Sequence, residues 1–128
     1  MLRALVLLLI VMGSVAFAQT QENKERKETD KAYIFAELRK ANDYQVKKLF
    51  DEFDNRLMKD FGSKNELQGY IINYGTDKEI ARREKQIRES ITFRRIDSYR
   101  LTFVRAVNNG TLKTVFWIVP RGAEPPTP

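Results

Sequence analysis

Gly69-Tyr-Ile-Ile-Asn-Tyr-Gly-Thr-Asp77 is the stretch of this 128-residue chain that decides the fold. Its β-branched and aromatic residues predict a strand over Gln68 to Tyr74. Both faces of that strand are apolar, which is typical of an interior strand of a sheet. The polar pair Thr76-Asp77 stands where the strand ends, so a search for a functional site begins there.

A charged helix is predicted directly after this strand, over about residues 78–92. Either Thr76 or Asp77 is a suitable N-cap residue. Isoleucines at positions 80, 87 and 91 share one face, and the remaining positions are rich in Arg and Lys. Such a pattern is typical of a helix that packs one side on a core.

An earlier strand and helix precede this unit. The run Tyr33–Ala36 is aromatic and β-branched and predicts a short first strand. Asn42 or Asp43 is positioned to cap a helix that Gly62 would end. The apolar residues of this helix follow helical spacing and predict a core face: Val46, Leu49, Phe50, Phe53 and Leu57.

Two strands complete the predicted domain, over Arg100–Val107 and Thr114–Val119. The run Asn108-Asn109-Gly110 between them is typical of a hairpin turn. Asn109-Gly110-Thr111 is also a glycosylation sequon, a pattern that often occurs without being glycosylated. The resulting order is β-α-β-α-β-β, which predicts an α/β fold of the α+β type: a two-layer sandwich with two helices on one face of a mixed sheet.

The two ends of the chain differ in character from this domain. A basic start, an apolar run from Ala4 to Met12 and the sequence Ala16-Phe17-Ala18 predict a signal peptide over residues 1–18, cleaved after Ala18. The apolar run is too short for a membrane anchor, so no membrane span is expected in the mature chain. We therefore expect a secreted or periplasmic protein.

The segments that flank the predicted domain lack a pattern of buried residues. Residues 19–31 are polar and charged and predict a flexible leader. Residues 121–128 contain three prolines in the last four positions and predict a disordered tail. The domain is accordingly predicted to span residues 32–120.

The charge of the chain is moderately positive, at +6. It falls to +5 when Arg3 leaves with residues 1–18, and both signs are interspersed. A binder of nucleic acid or other anions would use the cations of the second helix and beyond it: Arg82, Arg83, Lys85, Arg88, Arg94 and Arg95. Without interleaved aromatic residues, and with export predicted, no nucleic-acid partner is expected.

Catalysis finds little support in the composition. The chain has no histidine and no cysteine, which removes the commonest general base, metal ligands and thiol nucleophile. The carboxylates of the first helix, Asp51, Glu52 and Asp54, lie on its polar side, where no opposing acid is expected. We expect a protein that is not an enzyme and has neither a metal nor a cofactor.

The candidate ligand-binding residues are Thr76, Asp77, Arg82 and Arg83. An Asp at the end of a strand accepts hydrogen bonds from an ammonium, and an Arg one to two turns later holds a carboxylate bidentately. Together they would suit a zwitterion such as an amino-acid group. The alternative is a helix N-cap with a surface arginine or an ion pair within the helix.

These motifs resemble the OmpA-like peptidoglycan-associated domain family. Gly69 to Asp77 resembles the family's strand ending in Gly-Tyr-Thr-Asp, Ala81 to Glu84 falls where the family has its Arg-Ala helix, and Ile96 to Leu101 resembles Gly-Ile-x-x-x-Arg-Ile. The resemblance implies a cell-envelope module that binds the peptidoglycan stem peptide without catalysis, through Asp77 and through Arg83 or Arg82.

The chain also departs from that family. Only about five residues separate Asp77 from the arginines, where the family has a longer loop, and Leu112-Lys113-Thr114 replaces its Asn-Arg-Arg segment. The alternative function is therefore a domain with the same fold and no pocket, acting as a structural or protein-protein interaction domain. Such a domain would bind through a strand edge or the hairpin, and its partner would be another protein or, in a homo-oligomer, a second copy of this chain.

Overall fold

A computed structural model describes residues 31–94 and 100–128 of the chain. Residues Ala32–Pro128 form one compact unit. The predicted signal peptide, residues 19–30 of the predicted leader and Arg95 lie outside the described residues.

Six elements follow one another in the predicted order, which confirms the predicted fold class. The observed bounds differ from the predicted ones by a few residues. The strands and helices are β1 (Tyr33–Leu38), α1 (Asp43–Met58), β2 (Leu67–Gly75), α2 (Asp77–Arg94), β3 (Leu101–Val107) and β4 (Lys113–Pro120).

The strands form one mixed sheet in the order β1-β4-β2-β3. Strand β2 is parallel to β3 and antiparallel to β4, while β4 is antiparallel to β1. The predicted hairpin between the last two strands is wrong, because β2 lies between them. The connection over residues 108–112 must cross two strand spacings, about 10 Å, which a two-residue hairpin turn does not do.

Strand β2 is an interior strand with a partner at each edge. Ile71 and Ile72 point to opposite faces of the strand, and both are fully buried. The side of Gly69 and Ile71 faces α1. A Cβ atom at Gly69 would lie 2.7 Å from Cζ of Phe53, so glycine is what allows this close approach.

The core lies between this face of the sheet and the helices. Phe53 is at its centre, with its ring 5.6 Å from that of Phe35 and 5.2 Å from that of Phe116. The predicted core face of α1 is confirmed, with Leu49 packed against the cluster from its edge. The buried members of the cluster are Val46, Phe50, Phe53, Leu57, Leu67, Ile71, Ile87, Leu101, Phe116 and Ile118.

Both predicted helix starts are confirmed. Asn42 forms a capping box with Gln45, in which each side chain accepts a hydrogen bond from the other's backbone N–H. The hydroxyl of Thr76 accepts from Glu79 N at 3.3 Å, and its carbonyl accepts from Ile80 N at 2.9 Å. Helix α1 ends at Met58, ahead of the predicted stop at Gly62.

Arg100 connects the end of α1 to the start of β2. Its Nη2 donates to the carbonyl oxygens of Leu57 and Leu67, each at 2.7 Å, and its guanidinium lies 5.2 Å from the ring centre of Phe61. The side chain is 4% exposed. The residue therefore holds two elements together from the interior.

The compact unit includes residues 121–128. The N–H of Ala123 donates to the carbonyl of Pro120 at 3.0 Å, and Gly122 in this turn has a φ of 82°. Residues 123–128 form neither helix nor strand, as their prolines require. Neither of the two helices in the described ranges is long and apolar enough to cross a membrane.

Candidate functional site

A cleft of about 420 Å³ lies beside the first half of α2. Its other walls come from the connection between β1 and α1 and from the connection between β3 and β4. The described residues that line it are Lys40, Ala41, Glu79, Arg82, Arg83, Gln86, Thr111 and Leu112. Three cationic side chains and one carboxylate thus share one concave surface, which we call the cationic cleft.

A second cleft of about 280 Å³ lies at the opposite end of β2, beside Gln68, Tyr70 and the C-terminal residues. Arg100 lines it, but this guanidinium is already bound to two backbone carbonyls and lies near the carboxylate of Glu66, with Nε 3.7 Å from Oε1. The buried cation of this cleft is therefore engaged in holding the fold together. The cationic cleft is therefore the better candidate for ligand binding.

Arg83 is the most deeply buried residue of the cationic cleft, with 2% of its surface exposed. Its Nη1 donates to Thr114 Oγ1 at 3.0 Å, and its Nη2 donates to the carbonyl of Arg39 at 2.6 Å. The hydroxyl of Thr114 in turn donates to Asn73 Oδ1 at 2.6 Å. Strands β2 and β4 and the end of β1 thereby hold the guanidinium in one position.

The charge of Arg83 has no acidic partner in the described ranges. No carboxylate there lies within 4.0 Å of its guanidinium, and its Nε is buried without a hydrogen-bond acceptor. Burial lowers the pKa of Arg83, although arginine remains protonated in proteins. A buried cation without a counterion is unfavourable, so an anion in the cleft would be stabilised here.

Asp77 lies on a different side of α2 from Arg83. The two residues are six positions apart, which corresponds to about 240° around the helix. Hydrogen bonds with Glu84 raise the pKa of Arg105, and the charge of Asp77 contributes in the same direction. The described lining of the cationic cleft includes neither Asp77 nor Thr76.

The carboxylate that lines the cationic cleft belongs to Glu79. It lies three and four residues before Arg82 and Arg83, which places all three on neighbouring positions of the helix surface. Arg82 and Arg83 line the same cleft as Glu79, an acidic residue that the sequence reasoning missed. The i, i+4 spacing from Glu79 to Arg83 was the available signal.

Lys40 and Gln86 are further cleft residues that the sequence reasoning missed. Lys40 lies just after β1, so its approach to α2 depends on the sheet order and has no local signal. Gln86 donates from Nε2 to Asp43 Oδ1 at 2.7 Å, which links α2 to the first turn of α1. This contact fixes one end of the cleft.

The cations considered for nucleic acid have separate environments. Arg83 is buried, Arg82 lies in the cleft, and the guanidinium of Arg88 lies over the ring of Phe103 at 4.5 Å from its centre. The side chain of Arg94 lies outside the described part of the structure. Nothing in the described residues points to nucleic acid, and they contain no group of three acidic, His or Cys side chains placed to hold a metal.

Comparison with protein-family models, with curated proteins and with solved structures finds no significant match. The resemblance to the OmpA-like domain therefore depends on the motifs quoted above. Any functional conclusion must be argued from the site itself.

Proposed function

We propose that this protein is an exported, non-catalytic binding module of the cell envelope, and that the cationic cleft is its ligand site. The ligand carries a carboxylate and an ammonium close together. The stem peptide of peptidoglycan, which the family resemblance implies, has groups of this kind. The cleft would hold it without covalent chemistry.

The buried, uncompensated charge of Arg83 is the observation that carries the proposal. Its Nη atoms are fixed by Thr114 and by the carbonyl of Arg39, so the guanidinium is positioned before a ligand arrives. Preorganised groups lose less entropy on binding. A ligand carboxylate would supply the missing negative charge, assisted by Arg82 and Lys40 at the cleft wall.

Glu79 supplies the complementary charge for a ligand ammonium. It is half-buried and lies on the same side of α2 as the two arginines. The proposal therefore retains Arg82 and Arg83 from the sequence prediction and assigns the acidic contact to Glu79. Asp77 then has a structural role in the first turn of α2, where its negative charge interacts favourably with the positive end of the helix dipole.

A pull-down with purified peptidoglycan sacculi tests the proposal. The native chain should sediment with sacculi, and Glu79→Gln and Arg82→Gln should each sediment less. Asp77→Asn is the matched control, because it removes a carboxylate from the same helix outside the cleft lining. Absence of binding by the native chain, or equal binding by all four proteins, would overturn the proposal.

The hydrogen bonds of Arg83 within the fold favour the alternative function, a structural or protein-interaction domain. Two of the three guanidinium nitrogens are already bonded within the fold, so the residue also serves to join α2 to the sheet. Exposed apolar residues lie on the two edge strands, with Ile34 53% exposed on β1 and Val107 56% exposed on β3. This alternative predicts self-association measurable by light scattering, unchanged by Glu79→Gln and reduced by Ile34→Lys or Val107→Lys.

A further inference from the structure

The connection between β3 and β4 contains one chemically distinctive dipeptide, Asn109-Gly110. Asn109 is the only asparagine in the sequence that precedes a glycine. Residues 108–111 are exposed and lie outside any helix or strand. Thr111 and Leu112, at the end of the same connection, form a wall of the cationic cleft.

An exposed Asn-Gly pair is open to intramolecular amide chemistry. The backbone nitrogen of the glycine attacks Cγ of the asparagine, a carbon–nitrogen bond forms, and the side-chain nitrogen leaves as ammonia. One water then opens the resulting succinimide at either carbonyl, which gives aspartate or isoaspartate. Glycine favours the attack because it has no side chain to obstruct it and the widest backbone freedom.

We propose that Asn109 is a site of spontaneous deamidation and that Asn108 slows the reaction. The attacking nitrogen is that of Gly110, and it must lose its proton. In the structure this N–H donates to Asn108 Oδ1 at 2.8 Å, a local hydrogen bond between a side chain and the backbone. A hydrogen-bonded N–H is less acidic and less free to turn towards Cγ of Asn109.

The modification would change the cationic cleft. A carboxylate at position 109 places a negative charge two residues before Thr111, beside a cleft whose cations are Lys40, Arg82 and Arg83. Isoaspartate would also add a methylene group to the main chain of that wall. Affinity for an anionic ligand should fall, a consequence that depends on the function proposed above.

The site can be tested directly by ageing the protein at mildly alkaline pH, digesting it and analysing the peptides by tandem mass spectrometry. Acid should accumulate at position 109 faster than at Asn55 and Asn65, which are exposed but followed by Arg and Glu. Asn108→Ala should accelerate the reaction, and Gly110→Ala should slow it. Gly110 is not among the described glycines with positive φ, and a Cβ there would meet the side chain of Asn108, with Oδ1 at 3.0 Å and Cγ at 3.7 Å.

Equal rates at the three asparagines would overturn the proposed site, and an unchanged rate in Asn108→Ala would overturn the role of Asn108. Binding of fresh, aged and Asn109→Asp protein to sacculi then tests the effect on the cleft. Weaker binding of the aged and substituted proteins, with the difference reduced by salt, supports it. Deamidation with unchanged binding overturns that effect alone, whereas no binding by fresh protein overturns the proposed function and leaves the modification site standing.

Discussion

The hydroxyl of Thr114 accepts a hydrogen bond from Arg83 at 3.0 Å and is itself fully buried. The same hydroxyl donates to Asn73 Oδ1, so one oxygen satisfies a cation on α2 and an amide on β2. Thr114 and Asn73 are fully buried, and Arg83 is 2% exposed. Their pairing is therefore important for the stability of the fold as well as for the shape of the cleft.

Thr114→Val should lower the free energy of unfolding by about 3 kcal/mol, because buried polar groups lose their partners and each such loss costs about 1–3 kcal/mol. Thr114→Ser retains the hydroxyl and should cost much less. Urea unfolding followed by circular dichroism measures both. If the two variants are equally stable, the hydrogen bonds of Thr114 do not stabilise the fold.

Arg100→Met should destabilise the domain by about 3 kcal/mol, since the hydrogen bonds to the carbonyls of Leu57 and Leu67 are charge-assisted and buried. Methionine retains much of the side-chain volume, so the effect reports the polar contacts. Arg121→Met is the control, because Arg121 is exposed and removal of its charge should change stability little. Thermal unfolding of both variants provides the comparison, and equal midpoints would contradict this role for Arg100.

Gly69→Ala should cost about 1–3 kcal/mol through overpacking. The added Cβ would meet Cζ of Phe53 at 2.7 Å and Cδ2 of Leu101 at 2.9 Å. Combining it with Phe53→Leu should give a loss smaller than the sum of the two single losses, because the smaller side chain makes room. Additive losses in a double-mutant cycle would show that the methyl group and the ring do not collide.

Asp54→Asn should stabilise the protein at neutral pH. Burial raises the pKa of Asp54, and attraction to Arg100 lowers it by a smaller amount. Since the raised pKa means that the folded state disfavours the carboxylate, the penalty is present above that pKa and fades as pH falls towards the ordinary value of about 4. One carboxylate oxygen, Oδ1, is buried without a hydrogen-bond partner in the described ranges, in agreement with this penalty.

The measurement is the difference in unfolding free energy between Asp54→Asn and the native protein from pH 7 down to pH 4. The gain should shrink on acidification. Glu52→Gln removes an exposed carboxylate from the same helix and is the matched control. A gain for Asp54→Asn that is independent of pH would mean that ionisation of this residue is not its cause.

Local signals in the sequence were sufficient for the elements but not for their arrangement. The spacing of Val46, Phe50 and Phe53 predicts a helix because the helical period is local, and the caps at Asn42 and Thr76 involve residues only three apart. Strand pairing joins residues far apart in the chain, so the Asn-Gly dipeptide could not reveal that β2 separates β3 from β4. The predicted hairpin was wrong for this reason.

The residues of the candidate site likewise divide into those with a local sequence signal and those without one. Arg82 and Arg83 were predicted from their position after β2, and the structure places both at the cleft. Glu79 lies one helical turn before Arg83, which is a local signal, whereas the end of β2 indicated Asp77 as the acidic residue. The contact of Arg83 with the carbonyl of Arg39 involves residues 44 positions apart, and no sequence pattern predicts it.

The position of β4 at the centre of the sheet also bears on when this chain folds. Among the described residues, strand β1 pairs only with β4, and β4 follows the other three strands in the sequence. The sheet is therefore incomplete until residues 113–120 have been synthesised. Its strands pair residues that are far apart in the chain, a topology associated with slow folding. Residues 33–107 alone lack the strand that joins β1 to β2, so we expect them not to form this sheet.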